Sequence, residues 1–384
     1  MFSGHKGSPD FMQTAVVENS PLFTRWTDPV SGVESYILTQ QAAPFQQSFY
    51  YTNPSFTRDG RYLWFYCAYP PAGNANQGRS LAVADFQTQE IRVFPETQFL
   101  DASPGVDLET GEVYWCMGSE IWKRGPQADQ AATLVNRLPA SVTLNRRPWR
   151  VATHLTFSAD RKSLNIDAEI GRQWYVGHAP LDGSEVVIWQ EFDRAYNHGQ
   201  FSPVDSDLQL VNQDSAVDPL TGNCPNYENR MWLIRRGEKA KPIYPTGPKH
   251  GHEWWSADGQ HVWYIHYNRG VERVNPKKGE PELMWASDTV SHAHSDATEQ
   301  YIVADCIPGR EVAPGRVLFI NLKTGREVEI VSDMPYQSEF LRRYHVHPHP
   351  QFCREDEYIC YTTLVQGRVD VALAPVAKLV ERTS

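Results

Sequence analysis

Residues 344–350 read YHVHPHP, three histidines at alternate positions stiffened by Pro348 and Pro350. In an extended chain, residues two apart point to the same side, so His347 and His349 can share one face and one ligand. A further source of imidazoles is SHAHS at 291–295. Neutral imidazoles suit borderline transition metals such as Mn, Fe, Ni or Zn, and His292, His347 and His349 form a candidate trio for such an ion. His294 and His345 are weaker candidates.

What must position these residues is a repeat. One phrase recurs seven times: an aromatic or apolar residue, a small hydroxyl residue, a turn with Asp or Gly, then an apolar strand. It reads PSFTRDGRYLWFY from Pro54, HLTFSADRKSLNI from His154, HGQFSPVDSDLQLV from His198 and HEWWSADGQHVWYI from His252, with more worn copies from Ser103, Ser291 and His347. The copies lie roughly 40 to 55 residues apart, each followed by strand-like segments and polar turns, the content of one propeller blade. Helical periodicity is scarce, and 27 Pro and 25 Gly punctuate the chain too often for long helices. The expected fold is all-β: a seven-bladed β-propeller of four-stranded antiparallel blades around a central channel. It forms a single domain over residues 1–384, with residues 1–50 helping to close the ring with the last blade.

Four positions before Ser158, Ser202, Ser256 and Cys353 stand His154, His198, His252 and His349; the first copy has Asn53 there, and His292 lies one residue off. The first strand of each blade lines the channel, so this position converges on the axis from several blades. His5, His178, His261 and His266 fall outside it and read as structural or surface residues.

The bulk numbers exclude several classes. A net charge of −10 leaves no basic stripe to track phosphates, which argues against nucleic acid as partner. Six scattered cysteines without a CxxC pair read as ordinary buried thiols. The start MFSGHKGSPDF has no apolar core and no run of 18 apolar residues occurs, so neither a signal peptide nor a membrane span is expected, and the expected location is the cytoplasm.

From about Phe45 to Val376 the sequence resembles the oligogalacturonate lyases, seven-bladed propellers of polysaccharide lyase family 22. The likeness is sharpest in NRMWLI at 229–234, GHEWWSADG at 251–259, SHAHS at 291–295 and HVHPHPQF at 345–352. The resemblance implies a divalent metal, typically Mn²⁺, on His292, His347 and His349. It also implies a catalytic centre that includes His252 and Arg230, with His198 matching a histidine in the family's corresponding copy. The family's glutamine three residues before the HPHP motif is replaced here by Tyr344, a poor neutral ligand, which leaves the fourth ligand position open.

Such a site implies β-elimination on short uronic-acid oligosaccharides, giving a 4,5-unsaturated uronate or its keto product. The C5 proton lies α to a carboxylate, and a metal on that carboxylate stabilises the charge that develops when a base removes it. His252 or Arg230 is the base, and Tyr344, His198 or water protonates the departing O4. His154, Tyr344 and Trp254 are the candidate substrate-binding residues, with Trp255 and Trp232 as further stacking surfaces. Two other readings stay open at this point. One is another metal-dependent carbohydrate propeller, a hydrolase or a lyase on glucuronate- or rhamnose-linked uronides. The other is a non-catalytic propeller that binds glycan or protein.

Overall fold

The computed structural model describes residues 17–70, 78–99, 104–218, 220–224, 226–227, 229–243, 249–307, 315–335 and 343–384. Strands and turns dominate, as the repeat requires, and they form seven antiparallel sheets taken in chain order. Blade one holds Phe45–Gln47, Tyr62–Ala68, Arg79–Asp85 and Glu90–Phe99, and blade two begins at Gly105–Val106. Blades four, five and six open on Tyr196–Ser202, His250–Trp255 and Val290–Ser295. The last sheet has five strands: Gln351–Cys353, Tyr358–Thr363 and Asp370–Pro375 are extended by Glu34–Leu38 and Phe23–Thr27 from the other end of the chain.

Burial follows distance from the axis. All seven residues of Tyr62–Ala68 are buried, because a second strand is covered by neighbouring blades on both faces. The outer strands Val187–Phe192 and Pro281–Ala286 contain no buried residue. Trp64, Trp115, Trp254 and Trp263 are among the largest fully buried side chains, filling the wedges between blades. Five cysteines are buried thiols and Cys224 is exposed; none is paired. Among the described residues no helix is long and apolar enough to cross a membrane.

Two departures from the expected regularity matter for the site. Blade three has three regular strands, and its innermost segment makes only isolated bridges, Arg150 with Glu169 and Phe157 with Leu164. The YHVHPHP stretch is likewise not yet a strand, since regular pairing begins at Gln351. Prolines 348 and 350 cannot donate to a ladder, and the Pro348 carbonyl instead accepts from the Thr362 N–H at 2.8 Å.

Candidate functional site

At one mouth of the channel a cavity of about 350 Å³ opens among six of the histidines singled out by the repeat: His154, His198, His252, His292, His347 and His349. Its volume falls within the roughly 300–1,000 Å³ usual for small-ligand sites. The backbone turns them inward by breaking the strand pleat. His198 (φ 52°), His252 (φ 53°) and His349 (φ 43°) adopt the left-handed conformation that non-glycine residues rarely take. His198 and His252 sit in register shifts between Asn197 and Gln200 and between Gly251 and Trp254; His292 follows a similar shift after Val290. Each is a β-bulge that re-aims one side chain toward the axis.

His292, His347 and His349 each offer a ligand nitrogen, all within 4.8 Å of one another. His347 Nδ1 and His349 Nε2 are buried without a hydrogen-bond partner. His292 Nδ1 stands 3.0 Å from Oδ2 of Asp305, which is fully buried. A carboxylate only accepts, so the proton sits on Nδ1 and Nε2 is left as a bare lone pair. Burial pushes the Asp305 carboxyl up to about 6 and holds His292 below its ordinary value, so at neutral pH the pair is a carboxylate and a neutral imidazole. Carboxylate, imidazole and an unpartnered lone pair form the arrangement that supports metal-bound histidines. The three residues therefore fit a divalent cation.

Asp305 also accepts the main-chain N–H of His292 (2.8 Å) and, from the next blade, that of His349 (3.2 Å). Asp167 repeats this clamp, accepting from Thr153 (2.5 Å) and from Gly199 of the following blade (2.7 Å). Each lies nine residues after its turn residue, Ser158 or Asp296, a spacing readable in the sequence but masked by its apolar neighbours. Asp305→Ala leaves two buried N–H groups and one imidazole N–H without an acceptor. The unfolding free energy is expected to fall by about 3 kcal/mol or more, measured by denaturant titration of the metal-free protein.

Beside His292, its ring 4.0 Å away, His252 donates Nδ1–H to the Ser291 carbonyl, which leaves Nε2 unprotonated. Burial and the nearby His292 hold it well below the ordinary histidine value. His154 Nε2 and His198 Nδ1 share a hydrogen bond of 2.8 Å, and the Tyr50 ring stacks on His154 at 4.3 Å. Arg79 and Arg150 add positive charge to the lining, opposed by Asp214, so the cavity suits an anion although the whole chain is acidic. Tyr50, Arg79 and Arg150 carry no motif that would have marked them in the sequence.

Three candidates are placed elsewhere. Arg230, 6% exposed, is not part of the cavity wall; its Nε–H donates to Glu253 (2.9 Å) and its Nη1 pairs with Asp214 (3.0 Å). Burial works against its charge, but Glu253 and Asp214 outweigh burial and raise its pKa above the ordinary value. Tyr344 turns into the core, its ring edge-on to Phe45 at 4.9 Å. Trp254, 2% exposed, donates to Ser295 Oγ (3.0 Å) and stacks on Trp263, lining a second cavity that does not include the imidazole cluster. Trp255 lines that second cavity too, and Trp232 donates to the Asn229 carbonyl. His294 accepts from the Phe352 N–H, and His178 accepts from Trp189, a structural contact. His345 is exposed at the histidine cavity, while His261 and His266 face Glu299 and Glu272. His5 lies outside the described residues.

No family model matches the chain. Over 166 residues it is 26% identical to the oligogalacturonide lyase of Pectobacterium atrosepticum and to the oligogalacturonate lyase of Dickeya dadantii. The match takes in 38% of this chain and 43% of each relative, so the chain spans less than half the length of the curated relatives it matches. Among solved structures, an oligogalacturonate lyase in complex with manganese superposes with a TM-score of 0.71 at 17% identity, covering 92% of this chain and 96% of that one. An oligogalacturonate lyase from Vibrio parahaemolyticus gives 0.72 at 16% identity, with the same coverage. A puromycin hydrolase reaches 0.59 at 10% identity over 86% of this chain and 52% of its own, so the propeller alone does not select a chemistry. The chain is thus similar in sequence to oligogalacturonate lyases over part of its length and shares a seven-bladed fold with them over nearly all of it.

Proposed function

We propose that this protein is a metal-assisted lyase that cleaves short galacturonate oligosaccharides by β-elimination. The observation that carries the reading is the convergence of His292, His347 and His349 in a cavity that also presents two arginines and an imidazole with a fixed bare nitrogen. Manganese is the preferred ion, since a structural neighbour with the same fold is described in complex with it.

His292, His347 and His349 hold the ion. When bound, the ion supplies Lewis-acid stabilisation of the uronate carboxylate as charge develops on it. Arg79 and Arg150 attract and orient the anionic sugar. His252 Nε2, kept unprotonated by the donation of Nδ1–H to Ser291, takes the C5 proton. His198, whose Nδ1 accepts from His154 Nε2–H and whose own proton therefore sits on Nε2, gives that proton to O4 as the C4–O4 bond breaks. Arg230 works at one remove, neutralising Glu253 and Asp214, the latter in the cavity lining. Elimination leaves a 4,5-unsaturated uronate and a new reducing end.

The test is a panel of di- and trigalacturonate beside glucuronate-containing oligosaccharides, with metal-stripped and Mn²⁺-loaded protein. Ultraviolet absorbance of the unsaturated product is expected to grow with the galacturonides only when Mn²⁺ is present, and a chelator is expected to stop it. Protein that binds no divalent ion, or forms no unsaturated product from any uronide, overturns the reading.

A further inference from the structure

Gln47 ends the first strand of blade one and lines the histidine cavity, only 3% exposed. Its amide is held in one orientation. Nε2 donates to the main-chain carbonyl of His345 at 3.2 Å and, more weakly, to that of Tyr344 at 3.5 Å. Turning the amide over would set its oxygen against two carbonyl oxygens, so the nitrogen belongs where it stands. Oε1 is thereby directed away from both carbonyls, and it is buried without a hydrogen-bond partner. A buried amide oxygen in that condition is destabilising unless something satisfies it.

Two of the other buried polar atoms of this cavity without a hydrogen-bond partner belong to the trio, His347 Nδ1 and His349 Nε2. All three can present lone pairs, and a single electron-pair acceptor would satisfy them together. The neighbouring Ser48 hydroxyl is committed elsewhere: its Oγ is shared with Thr362 at 2.9 Å and faces the Pro348 carbonyl. We propose that Gln47 Oε1 is a ligand of the cation held by His292, His347 and His349, reaching it from blade one. The proposal rests on the metal reading given above and names a ligand that reading lacks.

The packing explains why blade one supplies it. Tyr344 buries its ring against Phe45, two residues before Gln47 on the same strand. Phe45 and Gln47 point to the same side of that strand, so seating Tyr344 on Phe45 draws Gln47 against the 344–348 segment. The tyrosine is thus the anchor that brings an amide oxygen to the site. An amide oxygen added to three imidazoles makes the donor set harder, which favours Mn²⁺ over softer ions.

The experiment uses the full chain, stripped of metal and titrated with Mn²⁺ while the free-ion electron paramagnetic resonance signal is followed. Wild-type protein is expected to bind one ion, and Gln47→Leu to bind it at least about tenfold more weakly with an unchanged near-ultraviolet circular dichroism spectrum. Gln47→Glu, which keeps an oxygen at this position, is expected to retain Mn²⁺ and to alter the visible absorption of the Co²⁺-loaded protein. Should Gln47→Leu fail to fold, the Glu variant carries the decision through the Co²⁺ spectrum. Unchanged Mn²⁺ affinity in Gln47→Leu, or an unchanged Co²⁺ spectrum in Gln47→Glu, overturns the ligand assignment while leaving the histidine trio intact. Absence of Mn²⁺ binding by the wild type overturns the metal reading itself.

Discussion

His347→Ala is expected to abolish both divalent-metal binding and lyase activity while leaving the fold in place. The separation follows from where the side chain sits. His347 is half-buried at the cavity and absent from the apolar clusters between the blades, and its Nδ1 forms no hydrogen bond. Its removal therefore costs little packing, in contrast to the loss at Asp305. Charge stabilisation by a metal is worth several kcal/mol, so a drop of about 10³-fold or more in kcat is expected. Metal content by elemental analysis, thermal unfolding and product absorbance check the three parts. A variant that keeps its metal and its rate would show that the trio is not the centre.

His252→Asn separates base chemistry from metal binding. Asparagine tolerates the left-handed backbone found at this position, so the bulge is expected to survive the change. The His292 and His252 rings lie 4.0 Å apart, but the ligand set does not include His252. Mn²⁺ content is expected to remain that of the wild type, and kcat to fall by about 10²–10⁴-fold, the usual contribution of a positioned base. A rate within tenfold of the wild type would exclude His252 from proton transfer.

The seven-fold repeat was legible because a small hydroxyl followed by an Asp or Gly turn is local chemistry, and counting back four residues from it placed His154, His198, His252 and His349 in one cavity. Side-chain direction was less legible. Alternation would put His345 on the face of His347 and His349 only in a pleated strand. Residues 344–350 are irregular, with His345 and His349 both left-handed, and the His345 and His347 rings approach to 4.6 Å. The same irregularity sends Tyr344 into the core. Trp254 belongs to a strand whose bulge at His252 resets the faces beyond it, which is why two residues two apart end in different cavities. Gln47, Arg79 and Arg150 reach the site from segments distant in the chain, and no single stretch of sequence contains that information.

The left-handed histidines have a thermodynamic meaning of their own. An L-residue in this conformation is disfavoured by about 1–2 kcal/mol, and His198, His252, His345 and His349 all adopt it on one rim. Whole domains are stable by only about 5–15 kcal/mol, so this rim holds a considerable part of the molecule's margin in reserve as strain. Glycine would relax each of these positions and erase the imidazole that the strain exists to aim. The channel mouth is thus a sprung surface, set before any ligand arrives. A ligand that joins the imidazoles meets donors already turned to the axis, because folding has borne the cost of orienting them.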